Sequence, residues 1–158
     1  MKSPEAHSTP PRRAPLIAVR LCFGVVFCWN IMCALQFAIT PEQYAAAYEL
    51  SGVAGAVAVQ GLGVAFLMWN ATYPVYLARP RRYPVLGGAI IAQQVIGLIG
   101  EIAIALSLPA GHDLLFANIA RFVAFDAAGL ALMAASFTWL TLTERPVDTS
   151  HLSPERPS

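Results

Sequence analysis

The chain has 158 residues, of which 57% are hydrophobic and only 12% charged, about half the charged fraction of a typical soluble domain. The net charge of +1 argues against a nucleic-acid-binding protein, which needs a basic patch for the phosphates. The length leaves room for one compact domain, and the composition is typical of an integral membrane protein.

Four apolar runs predict four transmembrane helices, since each reaches the roughly 20 residues that cross about 30 Å of hydrocarbon. These spans cover about residues 15–39, 51–73, 85–108 and 114–142. The first run is too long for the apolar region of a cleaved signal peptide, so we expect it to be retained. Polar, proline-rich tails at 1–14 and 144–158 are expected to be disordered and cytoplasmic. The predicted fold class is all-α, an antiparallel bundle of four transmembrane helices.

Charges in the connections predict the orientation of this bundle. Basic residues precede span 1 and separate spans 2 and 3, namely Lys2, Arg12, Arg13, Arg79, Arg81 and Arg82. The other two connections contain no Lys or Arg, so the positive-inside rule places both termini in the cytoplasm. Alternatively, Arg79, Arg81 and Arg82 bind anionic lipid headgroups. An aromatic belt at the cytoplasmic interface is expected from Trp69, Tyr73, Tyr76, Tyr83 and Trp139.

Three charged residues lie inside the spans, where an unpaired charge costs several kcal/mol. Glu101 lies seven residues before the end of span 3, and Arg121 lies eight residues after Asp113 at the start of span 4. In an antiparallel pair this spacing puts both at the same depth, which predicts a buried Glu101–Arg121 ion pair. Gln60 in span 2 has a similar depth and is expected to complete the cluster.

Asp126 should face a different neighbour, because five residues turn the helix by about 140° from Arg121. Its candidate partners are the polar residues Asn30, Gln93, Gln94 and Arg20. Without a cation beside it, burial favours the neutral carboxylic acid. Such an acid is either a proton carrier or ligand anchor, or a polar side chain that joins two helices by a hydrogen bond.

Several kinds of chemistry have no signature in this sequence. His7, His112 and His151 all lie outside the spans, so we expect no metal site and no haem or other cofactor. Cys22, Cys28 and Cys33 lie too far apart in sequence for a redox pair and are expected to pack as small apolar residues. No nucleotide-binding or hydrolase motif is present.

The first half of the chain resembles DoxX-like membrane proteins. The resemblance is carried by Arg20 in span 1, by Thr40-Pro41-Glu42, and by the glycine-rich run 51–63 that opens span 2. It implies a four-helix membrane fold and an accessory role beside an oxidoreductase system, and it transfers no catalytic residue.

The leading functional hypothesis is a non-catalytic protein of the bacterial cytoplasmic membrane, whose alanine- and glycine-rich, lysine-poor composition is typical of a GC-rich genome. Its partners would be membrane lipids and either another membrane protein or further copies of itself, or it would bind a small lipid-soluble molecule such as a quinone. One alternative is a proton-coupled carrier that uses Asp126, which with four helices would need a homo-oligomer. Another is an intramembrane enzyme that uses Glu101 and Asp126 as acid and base.

Overall fold

The computed structural model describes residues 13–144, and every regular element in that range is helical. The predicted tails lie almost entirely outside the described residues. In chain order the elements are α1 (Arg13–Ile39), α2 (Glu42–Ala45), a single 3-10 turn (Ala46–Tyr48), α3 (Gly52–Asn70), α4 (Tyr73–Ala78), α5 (Pro84–Ser107) and α6 (Asp113–Glu144).

Four helical stretches are long and apolar enough to cross a membrane, which confirms the predicted number of long apolar helices. They are α1, α3 together with α4, α5, and α6. The second span differs from the prediction, because α3 is interrupted after Asn70 and the chain resumes as α4. Pro74 lies in the first turn of α4, where its missing N–H removes no helical hydrogen bond.

The helix α1 lies at the centre of the packing, against α3 on one side and α6 on the other, while α5 packs on α6. A Cβ atom built on Gly63 of α3 would lie 2.7 Å from the Ala38 nitrogen and 2.8 Å from the Ala34 carbonyl oxygen of α1. Small residues permit this approach of two backbones, which lipid does not otherwise drive. The helices α3 and α5 make hardly any close contact.

One end of the bundle contains the 79–83 connection and the end of α6, which are joined by the Arg81–Glu144 ion pair; we call it the Arg81 end. Its core contains Tyr73, Tyr76 and Phe23, all fully buried, and the rings of Phe23 and Tyr76 lie 4.8 Å apart. The predicted interfacial belt is therefore wrong for the two tyrosines. The extra helix α4 turns them inward onto α1, away from the membrane surface.

Arg20 also has a role that its sequence position does not reveal. Its guanidinium donates to the carbonyl oxygens of Leu77 and Ala78, each at 3.1 Å, and so satisfies two carbonyls at the end of α4. Arg20 is therefore not a partner of Asp126, and it fixes α4 against α1.

The packing of α3 on α1 predicts opposite effects for two nearby alanine substitutions. Gly63→Ala should lower the free energy of unfolding by about 1–3 kcal/mol, because the new Cβ meets backbone atoms that cannot rotate away. Gly61→Ala has nothing within 4 Å of its Cβ and should leave stability unchanged or raise it by up to about 1 kcal/mol, since alanine favours the helix. Unfolding in detergent micelles would measure both, and equal stabilities would contradict the close α1–α3 packing.

Candidate functional site

A cavity of about 440 Å³ lies where α3 and α5 stand apart. All four long helices and the 3-10 turn contribute to its walls, which are mostly apolar. Its aromatic side chains are Trp29, Tyr48, Phe66, Trp69, Phe122 and Phe125. The volume falls within the range of about 300–1,000 Å³ that is common for small-molecule sites.

The cavity opens sideways because only the first half of α5 is packed into the bundle. The buried residues of α5 are Gly87, Ile90 and Gln94. Further along, Ile96 and Ile104 line the cavity yet are 70% and 55% exposed. The side opening is therefore bordered by apolar side chains that would face the lipid.

The indole ring of Trp69 narrows the gap between α3 and α5. A Cβ atom on Gly97 would lie 2.9 Å from this ring, so Trp69 on α3 packs directly on the backbone of α5. The absence of a side chain at Gly97 makes this contact feasible. Trp69 therefore forms the close contact between α3 and α5 at the edge of the cavity.

Two carboxyl groups meet at the α5–α6 side of the cavity. Glu101 on α5 and Asp126 on α6 both line the cavity, and their carboxyl groups are close enough to interact electrostatically. The Gln94 amide nitrogen lies 3.5 Å from the Asp126 backbone carbonyl oxygen. Two neighbouring carboxylates repel each other, and burial disfavours the charged form, so both effects favour a proton on the pair. A carboxyl pair in such surroundings is suited to hold and release a proton.

Two acceptor atoms near the cavity lack partners. Asn70 is 3% exposed, and its amide nitrogen donates to the Phe66 carbonyl oxygen at 2.8 Å. Its Oδ1, like Oε2 of Glu101, is buried without a hydrogen-bond partner among the described residues. Buried acceptors of this kind are rare in folded proteins, because each loses the hydrogen bond that water would supply. Both residues line the cavity, so a ligand with donor groups would suit it.

The predicted Glu101–Arg121 ion pair is wrong. Arg121 is an exposed residue of α6, and its guanidinium donates to Oδ1 of Asn118 at 3.1 Å. Counting residues from the helix ends gave Glu101 and Arg121 the same depth. Depth alone does not determine which side of α6 faces α5. Since Asp126 faces α5, the turn of about 140° between the two residues directs Arg121 away from α5.

The other predicted cluster residues are divided between the cavity and its surroundings. Gln94 and Asn30 line the cavity, whereas Gln93 is half-buried outside it. Gln60 is exposed and donates to the Ala38 carbonyl oxygen at 3.0 Å, so it does not complete the cluster as predicted. It faces α1 instead of α5, because α3 packs on α1.

The aromatic walls were not predicted from the sequence. Ile119, Phe122 and Asp126 follow one another at intervals of three and four positions along one stripe of α6, and all three line the cavity. The bulky apolar residues on the same helix stripe as Asp126 could therefore have predicted this wall of the cavity from the sequence. No such pattern marks Trp29 or Trp69.

The arginines at the Arg81 end contribute nothing to the cavity walls. Arg79, Arg81 and Arg82 are exposed; Arg81 pairs with Glu144, and the guanidinium of Arg82 lies 5.8 Å from the centre of the Tyr83 ring. Their predicted contact with lipid headgroups stays a prediction.

At the opposite end of the bundle, which we call the Glu49 end, the side chain of Glu49 joins the 3-10 turn to the start of α6. The carboxylate of Glu49 hydrogen-bonds to the His112 ring and accepts from the backbone N–H of Leu115 at 3.3 Å. The hydrogen bond with His112 lowers the pKa of the Glu49 carboxyl below its ordinary value. Tyr48 precedes Glu49 and lines the cavity together with Leu115. Glu49 therefore holds the 3-10 turn against the start of α6, beside the cavity.

No protein-family model matches the chain, and neither a curated protein nor a solved structure shows significant similarity to it. The resemblance to DoxX-like proteins stays a prediction.

Double-mutant cycles should distinguish a coupling between the two cavity carboxyls from the rejected ion pair. The cycle Glu101→Ala with Asp126→Ala should give a coupling of about 0.5–3 kcal/mol, because the two carboxyl groups line the same cavity and interact electrostatically. The cycle Glu101→Ala with Arg121→Ala should give less than about 0.5 kcal/mol. Unfolding in micelles would measure both, and the reverse order of couplings would contradict this geometry.

Glu49 should contribute stability that depends on pH. Its pKa is lowered in the folded protein, so the contribution is complete above the unfolded-state value of about 4.3 and is lost as the pH falls through the lower folded value. The difference in Tm between the wild type and Glu49→Gln should therefore be greatest above about pH 5 and shrink toward about pH 3. A constant difference over this range would show that ionised Glu49 does not stabilise the fold.

Proposed function

We propose that this protein binds a small lipid-soluble molecule in the cavity between α3 and α5, without itself catalysing a reaction. The observation that carries the proposal is an aromatic cavity of about 440 Å³ whose side opening adjoins apolar, exposed residues. Such walls with a few converging polar groups are typical of small-molecule sites. A quinone is one molecule of suitable size and shape, since its flat ring suits aromatic walls and its carbonyl oxygens can accept a carboxyl proton.

The orientation that accompanies this proposal is an antiparallel bundle with both termini in the cytoplasm of a bacterium. The Arg81 end contains Arg79, Arg81 and Arg82, whereas the residues that connect helices at the Glu49 end, 40–51 and 108–112, contain no Lys or Arg. The positive-inside rule then places the Arg81 end in the cytoplasm. The ligand would enter the cavity from within the bilayer.

An accessory subunit is a second form of the same non-catalytic role, and Arg121 favours it. Charged residues within membrane spans usually face protein or a water-filled cavity, yet Arg121 is exposed on α6. A partner protein or a second copy that covers this face would supply such surroundings. This role and the binding of a ligand are compatible.

A proton-coupled carrier is the second candidate function, favoured by the presence of both Asp126 and Glu101 in the cavity wall. Two carboxyl groups in one cavity offer a site at which a ligand and a proton compete. Four helices are few for alternating access, so transport would require more than one copy.

Filling the cavity should abolish ligand binding without disturbing the fold. Gly100 lines the cavity, and a Cβ atom added there would meet nothing within 4 Å, so Gly100→Leu should occupy the space without a clash. Native mass spectrometry of the protein extracted gently from its own membrane should show an added small-molecule mass on the wild type and none on Gly100→Leu.

Gly88→Leu is the matched control, because Gly88 lies on the same helix, has equal space and does not line the cavity. This variant should retain the added mass. A wild type without added mass would contradict ligand binding, and an added polypeptide that survives Gly100→Leu would identify the accessory-subunit role.

A further inference from the structure

The buried polar atoms of the cavity residues that lack a hydrogen-bond partner within residues 13–144 are both acceptors. Asn70 Oδ1 and Glu101 Oε2 are buried without partners among residues 13–144, and Asp126 adds a second carboxyl group. A quinone offers only acceptor oxygens, so it can engage protonated carboxyls but cannot satisfy the Asn70 oxygen. A ligand with N–H donors complements every one of these atoms.

The remaining walls favour a cation over a neutral donor. Trp29, Phe66, Trp69 and Phe122 line the same cavity, and the faces of aromatic rings attract ammonium groups, most strongly where water is excluded. Within the described part of the chain, neither carboxyl forms an ion pair with a cationic side chain. Arg121, the charge expected to fill this role, bonds to Asn118 instead. A cationic ligand would thus be best placed beside Glu101 and Asp126.

From this combination, and resting on the proposed ligand-binding role, we infer that the ligand is an aromatic or alkyl amine bound as its ammonium ion in exchange for a proton. Before the ligand binds, the pair is neutral when Glu101 and Asp126 each hold a proton, and an uncompensated charge in the bilayer would be strongly unfavourable. When the ammonium binds, one proton leaves to the aqueous solution and the other stays shared between the two carboxyls. The charge of the site is zero before and after, because the ammonium balances the carboxylate that remains.

Few other titratable groups face this pair, so they do not obscure its response to pH. The groups near the pair are Cys33 from α1, Tyr48 from the 3-10 turn and Tyr73 from α4, each of which interacts electrostatically with one of the two carboxyls. Gln94 from α5 is not titratable. A thiol and two phenols are neutral below about pH 8, so of these neighbouring groups only the carboxyl pair exchanges protons between about pH 5 and pH 7.

The test compares two probes of the same shape. In 3-phenylpropylamine an ammonium group occupies the place of the terminal methyl group of butylbenzene, and the amine is protonated throughout this pH range. Both are titrated into the full-length protein in micelles, and binding is followed by tryptophan fluorescence, since Trp29 and Trp69 line the cavity. We expect the amine to bind roughly tenfold to a hundredfold more tightly than butylbenzene at about pH 7.

The exchange predicts a specific pH dependence. Loss of one proton per bound amine means that its Kd falls about tenfold for each unit rise between about pH 5 and pH 7, while the Kd of butylbenzene stays constant. A pH-indicator dye in weakly buffered solution should record about one proton released per amine bound.

Two variants complete the experiment. The double substitution Glu101→Gln with Asp126→Asn should bring the amine to the affinity of butylbenzene and abolish proton release. Butylbenzene binding in this variant shows that the cavity has survived. Glu144→Gln removes a carboxyl group at the Arg81 end, outside the cavity, and should behave as the wild type.

Failure of this inference differs from failure of the proposed function. If both probes bind equally at every pH, or if the amine binds without releasing a proton, the proton-exchanging cation site is wrong while the cavity remains a ligand site. If neither probe binds and the extracted protein has no added mass, both proposals are wrong.

Discussion

The close approach of α1 and α3 at Gly63 determines the rest of this architecture. Lipid supplies no hydrophobic force between helices, so helices meet where their surfaces allow dense packing. At Gly63 a side chain as small as a methyl group would overlap the α1 backbone. A second close approach brings the Tyr76 ring onto Gly87, at a distance of 2.6 Å from a Cβ atom placed there, and holds the first half of α5. Because α3 is committed to α1, its contact with α5 is largely limited to the packing of Trp69 on Gly97, and the cavity is the space that remains.

The electrostatics of the cavity follow from which face of α6 is turned inward. Rotation of α6 to bring Arg121 inward would form an ion pair with Glu101, but it would remove Phe122 and Asp126 from the wall. The packing of Gly129 on Val26 of α1 opposes that rotation, since a Cβ at Gly129 would lie 3.1 Å from the valine side chain. Apolar contacts therefore fix the helix, and they leave the two acids without a cationic partner among the described residues. Protonation removes charge from the bilayer without a cationic partner in the chain.

Composition and hydropathy were sufficient to predict four helical spans, because the need to satisfy every backbone group within a bilayer leaves few alternatives to the helix.

The residues of the site were harder to predict from the sequence. The depth of Glu101 and Arg121 could be counted along the sequence, but the rotation of each helix depends on contacts such as Gly63 with α1, which no single span encodes. The same limitation explains why Gln60 was assigned to the wrong neighbour. Gln94 was one of four candidate partners for Asp126, and its amide nitrogen lies 3.5 Å from the Asp126 backbone carbonyl oxygen. Tyr73 and Tyr76 were assigned to the interface because nothing in their local sequence indicates that α4 turns them inward.

The two ends of the bundle differ in how easily water can reach the carboxyl pair. Toward the Arg81 end, Trp69 packs on Gly97, and the fully buried Tyr73 and Tyr76 lie further along the bundle. Toward the Glu49 end, Glu101 lies six residues from the end of α5, or about 9 Å, and Tyr48 lines the cavity on that side. The hydrogen bonds of Glu49 to His112 and Leu115 hold that turn in place. A ligand that enters sideways between α3 and α5 and a proton that leaves at the Glu49 end would thus use different routes, so the exchange does not require either species to pass the other.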